Sequence, residues 1–248
     1  MAKKIDSFNF SAGRKVGPRY AIESRLGGGS EGEVYQIREV DTGIRRAAKF
    51  YFPHVDPEHK LSIHHAQKLE ALRHCPIVLQ YHHSEVVRLG RQKVVALISD
   101  FCDGQPLERW IEKHHQGRLR PYLALHVLYH LVRGLEAIHA LGQYHADVHS
   151  QNILIKPRGV VFDVKLIDFY DWGRPRPFKQ QQDIKDTLRV FYEVLGGRPH
   201  YAKQPAEIRY ICAGLRRELM IARFPTMTAL RQHIETFEWS TMLDGAGV

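Results

Sequence analysis

The chain has 248 residues, 44% of them apolar and 25% charged, enough for a sizeable core in one large domain or two tightly joined lobes. Its longest apolar runs, such as residues 94–98, are far too short to cross a bilayer, and no cleavable signal peptide is visible behind the basic start. Three scattered cysteines (Cys75, Cys102, Cys212) argue against a disulfide scaffold and fit a reducing compartment. The net charge of +9 lies in small dispersed clusters that read as a solvated basic surface, so nucleic acid is not the expected partner.

In chain order, residues 20–26 and 33–40 are β-rich runs around a glycine cluster. Asp41-Thr42-Gly43 is a turn signal, and residues 45–51 form a third strand. Leu61, Ala66, Leu69 and Leu72 lie close to a helical period, which predicts a helix over 57–73. Two further strands are expected at 78–87 and 94–99. After Asp103-Gly104 the texture changes: residues 121–141 read as an amphipathic helix opened by Pro121 and stopped by Gly142. Short strands are expected at 153–155 and 161–167, and helix from Asp183 onward. Strands first and helices later indicate an α+β chain with two lobes. Adjacent histidine pairs (His64-His65, His82-His83, His114-His115) point different ways on a regular element, so no structural metal is expected.

Three signals carry chemistry. Gly27, Gly29 and Gly32, with Gly28 and Ser30 between them, form G-x-G-x-x-G followed by Val34, set between two strands. Glycines let backbone N–H groups approach phosphate oxygens, although a glycine-rich hairpin explains the pattern nearly as well. Ala47-Ala48-Lys49 places a lysine inside an apolar strand, where it needs a partner such as a phosphate or a helix carboxylate; an ordinary strand-edge lysine is the plainer alternative. The strongest signal is His145-Ala146-Asp147-Val148-His149-Ser150-Gln151-Asn152, followed by Leu166-Ile167-Asp168-Phe169-Tyr170. One carboxylate to receive a hydroxyl proton, with an amide and a second carboxylate to hold Mg²⁺, is what phosphoryl transfer requires.

Over roughly residues 20 to 237 the chain resembles the eukaryotic-like protein kinases. The His-Arg-Asp…Asn pattern appears as His145-Ala146-Asp147 with Asn152, Asp-Phe-Gly as Asp168-Phe169-Tyr170, and the strand lysine as Lys49. Ser99-Asp100-Phe101-Cys102-Asp103-Gly104 resembles the hinge, and the 15 residues from Asp183 to Gly197 resemble the buried helix that anchors the catalytic loop through an acid. The resemblance implies a bilobal α+β kinase fold: a β-rich lobe with one main helix over 1–99, a hinge at 100–104 and a reduced helical lobe over 105–248. It implies ATP with Mg²⁺, or Mn²⁺. Asp147 is the implied proton acceptor, Asn152 and Asp168 the metal ligands, and Lys49, paired with Glu70 of the helix, the phosphate-positioning cation. An alternative alignment puts Ala66 opposite Lys49. Further nucleotide contacts are implied at Gly27, Gly28, Gly29, Ser30, Gly32, Val34, Ala47, Leu154, gatekeeper Ser99, and the backbone of Asp100 and Cys102. A cytoplasmic monomer is expected, and the minimal size is compatible with a bacterial protein delivered into a host.

The departures bear on substrate. Ala146 replaces the arginine that receives an activation-loop phosphate, so switching by that phosphate is not expected. His149 replaces a lysine and is reminiscent of small-molecule phosphotransferases. Tyr170 replaces a glycine, which restricts the backbone there. Only 14 residues separate Asp168 from Asp183, and no Ala-Pro-Glu motif is present, so the usual shelf for an extended peptide is missing. Arg223, in an Arg-Phe-Pro-Thr turn, lacks its customary glutamate and needs another partner if buried. The first reading is a compact serine/threonine protein kinase that recognises a folded surface or loop. A small-molecule or lipid kinase, and a non-catalytic pseudokinase, are the alternatives.

Overall fold

The computed structural model describes residues 4–169 and 177–239. The chain separates into two compact units, one formed by the stretch up to His74 with residues 79–102, the other by residues 75–78 with everything from Asp103 onward.

In the first unit six strands form an antiparallel sheet in the order β1-β2-β3-β4-β6-β5: β1 Lys15–Val16, β2 Tyr20–Gly28, β3 Gly32–Glu39, β4 Arg45–Tyr51, β5 Tyr81–Leu89 and β6 Gln92–Asp100. Side chains alternate across the pleat. Ala48 and Phe50 therefore join Ile22, Tyr35, Ile37, Ala96 and Ile98 in a buried core on one face, and Ala47, Lys49 and Tyr51 point to the other. The core face is closed by the N-terminal segment, where Phe8 and Phe10 stack at 5.1 Å and Phe10 meets Phe50 edge-on at 5.0 Å. That segment is pinned to the buried carboxylate of Glu33, which accepts hydrogen bonds from the Ser7 hydroxyl (2.9 Å), the Phe8 N–H (3.0 Å) and the Tyr35 hydroxyl (2.7 Å).

Helix α1 spans Lys60–Ala71, shorter than the predicted 57–73. Buried Asp56 sets its start by accepting from the N–H groups of Leu61 (2.9 Å) and Ser62 (3.2 Å). Strand β5 begins at Tyr81 rather than at 78 because residues 75–78 belong to the second unit. There Ile77 accepts from the Leu166 N–H at 2.8 Å, and Val78 forms a parallel bridge with Leu166.

The second unit contains a small antiparallel sheet, β7 (Gln105–Pro106), β8 (Ile153–Arg158) and β9 (Val161–Leu166), and helices α2 (Leu107–His115), α3 (Pro121–Ala140) and α4 (Pro177–Val194). It also has the shorter helices α5 (Arg198–Tyr201), α6 (Ala206–Cys212), α7 (Arg217–Arg223) and α8 (Met227–Thr236). Pro121 opens α3 as predicted, since its missing N–H costs nothing in the first turn. Gly134 of α3 lets Ile77 lie against the helix: a Cβ there would stand 2.4 Å from Ile77 Cδ1. Helix α4 starts six residues before Asp183 and buries Asp183, Ile184, Thr187, Leu188 and Phe191 on one face. Between α4 and α6 the chain makes the single turn of α5. Among the described residues no helix is long and apolar enough to cross a membrane.

Candidate active site

In the first unit the glycine loop is the β2–β3 hairpin. Gly27 pairs with Val34 and Gly28 with Glu33, and the Gly29 N–H donates to the Gly32 carbonyl at 2.9 Å, leaving Ser30 and Glu31 at the tip. The glycines have different reasons. A Cβ on Gly32 would lie 1.9 Å from the Phe50 carbonyl oxygen, so strand packing demands glycine there. Gly27 and Gly29 face open space, which leaves their backbone approachable.

Lys49 lies opposite Val34 in the β3–β4 ladder, and its side chain is 15% exposed. Its ammonium sits 2.8 Å from the Glu31 carboxylate and 5.3 Å from the centre of the Tyr51 ring. The expected partner Glu70 is elsewhere. Its carboxylate takes Arg73 Nη1 at 2.8 Å on the exposed face of α1. The phase of the helix explains this: Ser62, His65 and Leu69 turn inward, and Glu70, one residue on, turns out. The α1 side chain whose field Lys49 shares is His65, which hydrogen-bonds the Tyr51 hydroxyl through Nδ1. Burial drives the His65 pKa well below the usual imidazole value, and the charges of Lys49 and Lys68 lower it further, so the ring is neutral.

Ser99 is buried opposite Ala47, at the end of β6. The Asp100 N–H donates to the Gln80 carbonyl (2.9 Å), and its carboxylate accepts from His82 (2.7 Å) and faces Arg46 (3.4 Å). Cys102, half-buried, closes this unit.

The second unit holds the catalytic-loop residues. Asp183 is fully buried and accepts three hydrogen bonds: from the N–H groups of His145 (2.8 Å) and Ala146 (2.7 Å), and from His139 Nε2 (2.9 Å). This ties the loop to α4 and holds Ala146 in the left-handed region at φ 70°. His145 accepts the Asp147 N–H at Nδ1 (3.2 Å) and donates from Nε2 to the Ile167 carbonyl (3.0 Å), a division that a neutral imidazole satisfies. Its ring packs on Phe169 at 4.5 Å. Asn152 Nδ2 donates to both the Asp147 carbonyl and its carboxylate, each at 3.1 Å, and the Asn152 carbonyl accepts from the Ile167 N–H at 3.0 Å. Asp147 and Asn152 are thus joined directly, and Asp168 follows Ile167, whose N–H and carbonyl are held by Asn152 and His145. His149 Nε2 lies 3.5 Å from Asp147 Oδ2. Leu154, in β8, pairs with Pro106 and Lys165.

Three residues of interest escaped the sequence reading: Glu31, His65 and Asp186. Burial raises the Asp186 carboxyl above its ordinary range. Gln182 and Arg189 work against that rise, and the neighbouring carboxylates of Asp183 and Asp147 add to it. Its position three residues past Asp183, on the same helical face, was the available signal. Arg223 has its partner: the guanidinium lies 4.0 Å over the Tyr210 ring and donates to the Tyr210 carbonyl. Tyr170 falls outside the described residues. Among those described, no cluster of three or more His, Cys, Asp or Glu could hold a metal ion.

The first 102 residues thus carry a glycine hairpin beside an in-strand lysine, and the remainder a buried acid cradling a His-x-Asp loop. The chain is similar to several known proteins. Serine/threonine-protein kinase PkaA of Streptomyces coelicolor is 28% identical over 165 residues, covering 63% of this chain and 30% of that protein. CBL-interacting protein kinase 29 of Oryza sativa is 30% identical over 169 residues (64% and 36%). Serine/threonine-protein kinase PknA of Mycobacterium tuberculosis is 29% identical over 154 residues (61% and 35%). The matches thus span little more than a third of these curated relatives at most. The crystal structure of the Mycobacterium tuberculosis PknI kinase domain, a double mutant, superposes with a TM-score of 0.64 at 17% identity, covering 92% of this chain and 97% of that one, a likeness of fold. The family model for the protein kinase domain matches residues 20–201, most of the chain, and the chain therefore belongs to the protein kinase domain family.

Proposed function

We propose that the chain is an ATP-dependent protein serine/threonine kinase domain, with residues 1–99, 100–104 and 105–248 as lobe, hinge and lobe of a single monomeric unit. The observation that supports this most is the Asp147–Asn152–Asp183 network. Asp183 fixes the backbone on which Asp147 stands, and Asn152 orients the Asp147 carboxylate at 3.1 Å.

Family membership implies ATP and a divalent metal. The donor set fits an oxygen-preferring ion such as Mg²⁺ or Mn²⁺. Asn152 spends its Nδ2 on Asp147 and so keeps its amide oxygen for a ligand, and Asp168 supplies a carboxylate. When bound, such an ion neutralises charge on the transferring phosphate. In this reading Asn152 and Asp168 hold it. Lys49 positions the α- and β-phosphates, and the open faces of Gly27 and Gly29 admit phosphate oxygens to their N–H groups. Ser99, Asp100 and Cys102 receive the base, with Val34, Ala47 and Leu154 packing on it. Asp147 orients the acceptor hydroxyl and takes its proton. Positioning and charge neutralisation supply most of the acceleration, with no covalent intermediate on the protein.

His149 beside Asp147 supports a second reading, transfer to a small-molecule hydroxyl. Incubation with γ-labelled ATP, alone and with cell extract, separates the two. Label on protein bands supports the first, label in the low-molecular-weight fraction the second, and nucleotide binding without any transfer removes both.

A further inference from the structure

We propose that Glu31 is an internal competitor for nucleotide phosphates: from the tip of the glycine hairpin its carboxylate holds Lys49, and an entering polyphosphate displaces it. The proposal rests on the assignment of Lys49 as the phosphate-positioning cation.

The hairpin is built to deliver this carboxylate. The Gly29 N–H to Gly32 carbonyl bond closes the turn, and the Glu31 carbonyl accepts from the Phe52 N–H at 2.9 Å, so the tip is fastened to the chain just beyond β4, three residues from Lys49. The Glu31 side chain spans the remaining gap to within 2.8 Å of the ammonium, with 15% of the lysine and 26% of the glutamate exposed. Strand packing keeps the tip in this register, because Gly32 tolerates no side chain against the Phe50 carbonyl.

Helix α1 supplies no counter-charge in exchange. Its Glu70 is spent on Arg73, and the buried side chain sharing the field of Lys49 is the neutral His65. A carboxylate and a phosphate carry the same sign, and at hydrogen-bond distance from one ammonium they compete for its N–H groups. Binding of ATP or ADP then includes the cost of breaking the Glu31–Lys49 pair, a cost adenosine does not incur. Glu31 thereby sets how strongly the site favours phosphates over the nucleoside alone.

The test is calorimetric titration of the full chain, in Mg²⁺ buffer, with ATP, ADP and adenosine. Glu31→Gln and Glu31→Ala are expected to bind ATP and ADP roughly 2- to 5-fold more tightly than the unaltered chain, the range of a partly exposed ion pair, with adenosine affinity unchanged. Glu23→Gln, which removes the same charge where Glu23 faces Arg38, is expected to change nothing. Equal or weaker ATP binding by both Glu31 variants overturns the proposal, as does matching tightening in Glu23→Gln. If the unaltered chain and the Glu31 variants all fail to bind ATP, the nucleotide assignment of Lys49 falls, and this proposal with it.

Discussion

Replacing Asp183 by alanine removes the acceptor of three hydrogen bonds at a site with no solvent exposure. The N–H groups of His145 and Ala146 and the His139 ring lose their partner together. A buried donor left unsatisfied costs about 1–3 kcal/mol, and loss of a buried charged partner about 3–5 kcal/mol in all, because the loop relaxes and the individual costs do not add. At about 2–4 °C per kcal/mol for a chain of this size, the melting temperature should fall by roughly 10 °C. Asp183→Asn keeps one acceptor oxygen but turns an NH₂ toward a donor, so it should fall between. Urea unfolding followed by circular dichroism measures the loss, and single-turnover transfer measures the displacement of Asp147. A loss below about 1 kcal/mol in Asp183→Ala with transfer intact would show that the loop does not depend on this acid.

Gly32→Ala should cost about 3 kcal/mol or more, because its Cβ meets backbone atoms that cannot rotate away, whereas Gly29→Ala should alter stability by less than about 1 kcal/mol while weakening nucleotide binding. Comparing the two by thermal melting and ATP titration checks the division of labour among the glycines. Glu33 contributes to pH dependence. Burial pushes its carboxyl up, but the hydrogen bonds from Tyr35, the Phe8 N–H and Ser7, with the charge of Arg25, outweigh it, so the folded pKa lies below the ordinary 4.5. The unfolded chain therefore binds more protons in this range, and the stabilisation is complete above pH 4.5 and fades as pH falls through the lower folded value. The stability difference between the unaltered chain and Glu33→Gln should accordingly shrink on acidification below pH 4.5; a difference that stays constant would contradict the linkage.

Much of the chemistry was legible because it sits in short runs. Strand β4 occupies the predicted residues 45–51, just after the turn signal at 41–43, Pro121 marks the start of α3, and Asp183 accepts the loop N–H groups as the resemblance of residues 183–197 to the family's buried helix implies. What was not legible depends on pairings across long stretches of chain. The diversion of residues 75–78 into the second unit is decided by their bonds to Leu166, about 90 residues on. The closure of the sheet by Phe8 and Phe10 depends on Glu33, which in the sequence is only the first residue of a β-rich run. Spacing points to Glu70 as the lysine partner because it counts residues and not helix phase, and Glu70 lies on the outward face with Arg73. Glu31 sat inside the glycine motif itself, where sequence reasoning attends to the glycines and passes over the residue between them.

The proposed phosphoryl transfer depends most on Asp147 acting as the acceptor of the hydroxyl proton while Asp168 serves the metal. Transfer from γ-labelled ATP should be measured for the unaltered chain, Asp147→Asn and Asp168→Asn, each alongside an ATP titration with Mg²⁺. The expected result is loss of transfer by both variants, with nucleotide affinity nearly unchanged in Asp147→Asn and Mg²⁺-dependent affinity lost in Asp168→Asn. Equal ATP turnover by all three proteins would contradict it.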